Sequence, residues 1–75
     1  MTKLLSELKV GESCVVQKVT ATGKLRRRIF DMGVTPGVSI TVKKLAPLGD
    51  PIEVTIRGYE LSLRKDEANN VEVEI

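Results

Sequence analysis

The run VSITVK at residues 38–43 and the run IEVTIR at residues 52–57 both alternate apolar with polar side chains. The same alternation recurs over residues 59–64 and 71–75. A period of two residues places the apolar side chains of a strand on one face, which is the pattern of a half-buried β-strand. This part of the chain therefore predicts four short antiparallel strands, with Gly58 in a tight hairpin between the second and the third.

One helix is predicted on the N-terminal side of these strands, over residues 23–32. Leu25, Ile29 and Met32 are spaced i, i+4 and i+7, so they share one helix face. Gly33 can take the positive φ that ends a helix, and a turn follows directly after it. So short a helix is marginal in isolation, and we expect it to pack against the sheet.

The remaining segments predict one more strand and two turns. Residues 13–19 are rich in valine and predict a first strand, with a bulge at Val15 and Val16, where two apolar residues interrupt the alternation. Residues 2–10 predict only a short turn. Residues 64–70 are too polar for a strand and predict a helical turn before the last strand.

These elements indicate one mostly-β domain. The chain has 75 residues, which is too few for two hydrophobic cores. An open sheet would leave its edge strands exposed, and curling the sheet into a barrel removes those edges. With one short helix inserted between strands one and two, the order resembles an SH3-like barrel. We therefore predict a small five-stranded SH3-like barrel over residues 1–75.

The composition argues against catalysis and against an internal metal site. The chain has no His, which is the commonest general base and metal ligand, and its one cysteine is Cys14. A single cysteine can form neither an intramolecular disulfide nor a cysteine cluster, so we expect Cys14 to be buried and structural. No glycine-rich phosphate-binding loop is present. The prediction is a protein that is not an enzyme and needs no cofactor.

The hydropathy pattern also bears on location. No apolar run approaches the roughly 20 residues that a membrane-spanning helix needs, and no signal-like segment opens the chain. We expect a cytoplasmic protein without membrane insertion.

Two stretches are candidates for binding a protein partner. The densest basic run is residues 24–28, in which Arg26 and Arg27 could contact an acidic surface. The second stretch lies between two predicted strands and is stiffened by prolines, and its candidate contact residues are Ala46, Pro47, Leu48, Gly49 and Asp50. Leu48 would be either an exposed anchor for the partner or a plug at the end of the barrel.

The charge distribution favours oriented docking. Residues 1–37 hold seven basic and three acidic residues, a net +4, whereas residues 38–75 hold five basic and seven acidic residues, a net −2. This asymmetry predicts a dipolar surface. Nucleic-acid binding through the basic run is the weaker alternative, because only Phe30 and Tyr59 could stack on bases.

Three blocks of the sequence together resemble the FeoA family, the small ferrous iron transport protein A components. The blocks are LRRRIFDMGVTPG at residues 25–37, APLGDPI at residues 46–52 and GYELSLRKDEA at residues 58–68. The resemblance implies an SH3-like barrel and a cytosolic accessory protein of a bacterial ferrous iron transport system. It implies as partner FeoB, a membrane transporter with a cytosolic GTPase domain, which would recruit the protein to the inner membrane. The family is also described as binding transition metals, so a metal-binding regulatory domain is an alternative function.

Overall fold

The computed structural model describes all 75 residues and contains six β-strands and two α-helices. The strands are β1 (Thr2–Leu4), β2 (Ser13–Val19), β3 (Ser39–Leu45), β4 (Ile52–Ile56), β5 (Tyr59–Leu63) and β6 (Val71–Glu74). The helices are α1 (Gly23–Asp31) and α2 (Lys65–Ala68), and one 3₁₀ turn, Leu5–Glu7, follows β1. All strand pairs are antiparallel, in the order β1-β6-β2-β3-β4-β5. The mostly-β class, the helix before β3 and the helical turn before β6 are thereby confirmed.

The predicted count of five strands was wrong, because β1 forms where the sequence indicated only a turn. With three residues β1 is too short to show an alternation. It is extended because it pairs with the other end of the chain, where Thr2 lies opposite Glu74 and Leu4 opposite Glu72. The N-terminal amine also lies 2.9 Å from Oε1 of Glu74. Such long-range pairing leaves no local signature in the sequence.

Two bulges bend the long central strands. The register between β2 and β6 shifts between Val16 and Lys18, so the bulge lies one residue beyond the predicted Val15 and Val16. A second shift, between Val42 and Lys44, interrupts the pairing of β3 with β4. Each bulge adds a residue to one strand and increases its local twist, which curls the sheet.

One cluster of 18 buried apolar residues fills the curled sheet. The alternation predicted from the sequence is confirmed in β4, where Ile52, Val54 and Ile56 are all buried. Ile29 is the residue of α1 that is fully buried, as expected from its place on the apolar face. Neither helix is long and apolar enough to cross a membrane.

The end of α1 follows the prediction made for Gly33. This residue has a φ of +93°, and its N–H donates to the carbonyl of Phe30 at 2.9 Å. The N–H of Val34 donates to the carbonyl of Ile29 at 3.2 Å. This pair of bonds is the Schellman motif, which satisfies helix carbonyls that would otherwise lack a donor. It also reverses the chain so that Val34 enters the core.

The sheet is curled but its two edges remain. Strand β1 pairs only with β6, and β5 pairs only with β4. The expectation that curling would remove both edges was therefore wrong. Closure would require β1 to pair with β5, and no hydrogen-bonded pairing joins these two strands.

Candidate partner-binding site

The connection between β3 and β4 holds Leu48 out in solvent. Its side chain is 90% exposed. The N–H of Gly49 donates to the carbonyl of Ala46 at 2.7 Å, which places Pro47 and Leu48 at the tip of a tight turn. The N–H of Ala46 donates to the carbonyl of Pro51 at 3.2 Å and closes the base of this turn. The alternative in which Leu48 plugs the barrel is therefore wrong.

Asp50, also predicted as a contact residue, ties the same connection to α2. Its Oδ1 accepts a hydrogen bond from the backbone N–H of Lys65 at 3.1 Å. Lys65 is the first residue of α2, and the first amides of a helix have no partner within the helix. Asp50 thus supplies an acceptor to α2 and positions residues 46–51 beside the C-terminal end of β5.

The arginines of α1 divide into two that are exposed and unpaired and one that is paired. The guanidinium of Arg26 lies 4.8 Å from the ring centroid of Phe30, and Arg27 is exposed. Neither forms an ion pair, whereas Nε of Arg28 lies 2.7 Å from Oε2 of Glu67. Arg26 and Arg27, the two predicted contacts, therefore keep their charges available to another molecule.

Glu67 organises this region structurally, and sequence reasoning missed it. Its side chain is buried, and its Oε1 accepts a hydrogen bond from the N–H of Arg64 at 2.8 Å. A glutamate three residues after a helix cap can make this contact, so the spacing of Glu67 from Arg64 was an available signal. Its ion pair with Arg28 joins α2 to α1 across the fold.

Tyr59 connects the β4–β5 hairpin to the end of α1. Its hydroxyl donates to the carbonyl of Met32 at 2.7 Å, while its side chain remains 44% exposed. The ring passes beside Gly33, where a Cβ atom would lie 2.5 Å from the hydroxyl oxygen. Tyr59 thus packs against the end of α1 instead of lying free on the surface.

These contacts arrange the two predicted stretches around one strand. The bond between Tyr59 and Met32 sets the end of α1 beside the first residue of β5. The bond between Asp50 and Lys65 sets residues 46–51 beside its last. The end of α1 and the exposed loop are therefore each held near one end of β5. We term β5 together with these two neighbours the β5 face.

The side chains of this chain do not fit a transition-metal site. No three Cys, Asp or Glu residues lie together as such a site requires, and the chain has no His. Burial raises the pKa of the Cys14 thiol to about 11, while a metal binds the thiolate. The surface also carries no pocket that would enclose a small molecule.

Comparison with known proteins places these observations in a family. The model of the FeoA domain matches residues 3–75. A fusion of Fe(2+) transport protein A with the Fe(2+) transporter FeoB from Porphyromonas gingivalis is 44% identical over 71 residues, which is 95% of this chain and 8% of the fusion. The chain therefore corresponds to a small part of that relative.

Solved structures agree with the fold. A FeoA-like protein from Clostridium acetobutylicum is 40% identical, with a TM-score of 0.92 over 99% of this chain and 86% of its own. The FeoA of Stenotrophomonas maltophilia, solved with zinc and described as an SH3 domain protein, is 32% identical. Its TM-score is 0.81 over 99% of this chain and 89% of its own. The predicted SH3-like class and the resemblance to FeoA are confirmed.

Proposed function

The chain belongs to the FeoA family, and from that premise we propose that it is a non-enzymatic adaptor that regulates a FeoB-type ferrous iron transporter by binding it. It would act in the cytoplasm and be recruited to the inner membrane by this partner. The observation that carries the proposal is the exposure of Leu48, at 90%, on the tip of a braced turn.

An exposed leucine on a rigid turn is suited to insertion into a partner. Burying a leucine side chain contributes about 1.5–3 kcal/mol, and Leu48 gains none of this within its own fold. The turn is held by its own hydrogen bonds and by Asp50, so little conformational entropy remains to be lost when it binds. The turn therefore favours protein contact over the role of a passive connection.

The arginines of α1 supply the polar part of the same surface. Arg26 is stacked on Phe30, which restricts its side chain, and Arg27 is exposed without an acidic neighbour in contact. Arginine is enriched at the centres of protein interfaces because its planar guanidinium can both stack and donate several hydrogen bonds. An acidic patch of the partner would complement this helix.

The fusion relative supports association with a transporter. In Porphyromonas gingivalis a sequence 44% identical to this chain forms one polypeptide with FeoB. Covalent linkage holds two modules at a high effective concentration, which is useful where the separate modules bind each other.

The proposal is tested by titrating the protein against purified, detergent-solubilised FeoB-type transporter of the same organism. We expect saturable binding, and Leu48→Asp should weaken it at least tenfold while the melting temperature stays unchanged, because Leu48 contributes nothing to the core. Ile75→Asp is the control, because Ile75 is also exposed but follows β6, where its N–H donates to the carbonyl of Met1, and β6 does not pair with β3, β4 or β5.

Two results would contradict the proposal. One is the absence of binding up to about 1 mM, an affinity near −4 kcal/mol. The other is a wild-type affinity for Leu48→Asp together with weakened binding by Ile75→Asp.

A further inference from the structure

We propose that the free edge of β5 receives an extended segment of the partner protein, which joins the sheet as an additional antiparallel or parallel strand. The inference rests on the proposed function and specifies how the partner is held. In other proteins, extended peptides bind to the edge of a sheet through main-chain hydrogen bonds, and their alternate side chains provide the specificity.

The backbone of β5 offers hydrogen-bonding groups that nothing in the chain uses. Ile56 and Tyr59 flank the two-residue loop of the β4–β5 hairpin and form its first hydrogen-bonded pair. Hydrogen-bonded pairs alternate along an antiparallel ladder, so the backbone groups of Leu61 and Leu63 also bond to β4. Glu60 and Ser62 consequently direct their N–H and C=O groups away from β4. Neither residue takes part in any backbone hydrogen bond outside the helices and strands. Two donors and two acceptors are therefore free along this edge.

The two edges of the sheet differ in how they are protected. Strand β1 has three residues, and edges that short offer little to pair with. Strand β5 has five residues, contains no proline, and pairs with β4 in an unbroken register. Proteins usually block such an edge with a bulge, a proline or an inward charge. The edge of β5 lacks these devices.

The side chains of β5 offer a part-exposed apolar row to the added strand. Tyr59, Leu61 and Leu63 share one face, and they change along the strand from exposed through half-buried to buried. A segment laid beside β5 would cover Tyr59 and Leu61 with its own apolar side chains at alternate positions. The row therefore extends the hydrophobic core to the open edge.

The charged residues at the two ends of β5 indicate which charges the bound segment should carry. Arg57, in the hairpin before β5, forms no ion pair, and its backbone is held at a φ of +50°, where a non-glycine residue is strained. Arg64, directly after β5, is exposed and also unpaired. The one charge on β5 itself, Glu60, lies 3.7 Å from Lys43. The occupant that fits is an extended segment with alternate apolar side chains and acidic residues at its ends.

The edge is also continuous with the other candidate contacts. The end of α1 lies at one end of β5 through the bond between Tyr59 and Met32. The loop that carries Leu48 lies at the other end through the bond between Asp50 and Lys65. A partner strand on β5 would bring the flanking parts of the partner onto both.

Hydrogen–deuterium exchange, read at single residues, tests the proposal on the unmodified protein. In the free protein we expect rapid exchange at the amides of Glu60 and Ser62 and slow exchange at those of Leu61 and Leu63. Saturating solubilised FeoB-type transporter should slow exchange at Glu60 and Ser62 at least tenfold. Unchanged exchange at both amides in the complex would overturn the proposal. Protection that rises with protein concentration without the transporter would overturn it too, since a second copy would then occupy the edge.

Substitutions at Ser62 separate the backbone from the side chain. Ser62→Pro removes an N–H that faces away from β4, so the hairpin keeps its hydrogen bonds while the edge is blocked. We expect this variant to bind the transporter at least tenfold more weakly, while Ser62→Val, which keeps the N–H, binds like the wild type. Arg57→Asn removes the charge in a conformation that asparagine tolerates, and should weaken binding several-fold.

The outcomes distinguish this inference from the function on which it rests. Wild-type affinity of Ser62→Pro would refute the edge while the adaptor function stands. Absence of binding by the wild type would refute both. If Ser62→Pro does not fold, the exchange measurement on the wild type still decides the question.

Discussion

Gly33 is the residue at which the end of α1 and the β4–β5 hairpin meet. Its positive φ of +93° forms the Schellman motif, and its missing side chain leaves room for the hydroxyl of Tyr59. The first requirement is local and could be predicted from the sequence. The second depends on a residue 26 positions later in the chain that the sheet brings alongside.

Gly33→Ala should therefore destabilise the fold by about 2–3 kcal/mol. About 1–2 kcal/mol comes from placing a Cβ atom in a left-handed conformation. About 1 kcal/mol more comes from displacing the hydrogen bond of Tyr59 to Met32. Urea denaturation would measure the loss.

Gly11→Ala is the matched control for that measurement. Gly11 has a φ of +92°, but no atom lies within 4 Å of the position its Cβ would take. It should lose only the conformational part, and Tyr59→Phe should relieve part of the cost in Gly33→Ala. Equal losses for the two alanine variants would contradict the steric role of Tyr59.

Cys14 should make the free energy of unfolding depend on pH in the alkaline range. Burial raises the pKa of its thiol from 9.0 to about 11, so the folded state favours the neutral form more strongly than the unfolded state does. The stabilisation is complete below pH 9 and is lost as the pH rises from 9 toward 11. The slope is at most about 1.4 kcal/mol per pH unit.

Urea midpoints of the wild type and of Cys14→Ala, taken from pH 8 to pH 10.5, would show this effect. The informative quantity is the difference in stability between the two proteins at each pH, because it isolates the contribution of Cys14. The stability advantage of the wild type should shrink above pH 9. A constant difference would contradict the assignment to Cys14.

At the scale of elements, α2 shows how a segment too short to be helical alone is held by its neighbours. It has four residues, and an isolated helix of that length does not form in water. Glu67 accepts the N–H of Arg64 and pairs with Arg28 of α1, while Asp50 accepts the N–H of Lys65. The helix therefore depends on contacts with α1 and with the β3–β4 connection.

Glu67→Ala should cost about 2 kcal/mol of stability, because it removes both a helix cap and the partner of Arg28. Arg28→Ala should cost about 1 kcal/mol, since it leaves a buried carboxylate without its cation although the arginine itself is largely exposed. The double variant should lose less than the sum of the two, because both substitutions remove the same pair.

Lys43→Ala serves as the comparison in the same denaturation series. Lys43 pairs with Glu60 at the surface, and such exposed pairs contribute about 0–1 kcal/mol. Losses of equal size for Lys43→Ala and Glu67→Ala would show that Glu67 does not organise α2.

At the scale of the whole molecule, the sheet order mixes the two halves of the chain. Strand β6, which carries Glu72 and Glu74, lies between β1 and β2 of the basic half. Lys18 consequently faces Glu72 across the strands. The +4 and −2 halves of the sequence therefore do not become two separate halves of the sheet, and the basic surface that remains distinct is the exposed side of α1.

Arg27→Glu should accordingly weaken binding to the solubilised transporter and reduce the dependence of that binding on salt, while stability changes by less than about 0.5 kcal/mol. Lys9→Glu makes the same charge change at an exposed residue outside the β5 face and should leave binding unaltered. Equal effects of both variants would point to overall charge. Tight, steeply salt-dependent binding to RNA or DNA would favour the nucleic-acid alternative instead.

Much of the fold could be predicted from the sequence because its signals are local. The alternation in β4, the apolar face of α1 and the positive φ at Gly33 and Gly58 each depend on residues only a few positions apart. Backbone sterics and the period of each element act over that distance, so one chain segment carries the information. The basic run that contains Arg26 and Arg27 is likewise visible within one short stretch of the sequence.

The tertiary structure decided what depends on residues far apart in the chain. Strand β1 exists because it pairs with β6, Glu67 is buried because α1 supplies Arg28, and Leu48 is exposed because other side chains complete the core. The edge of β5 is open because the strand order leaves β5 with one neighbour. Pairing, burial and edges are properties of contacts between distant segments, and local conformational preference does not specify them.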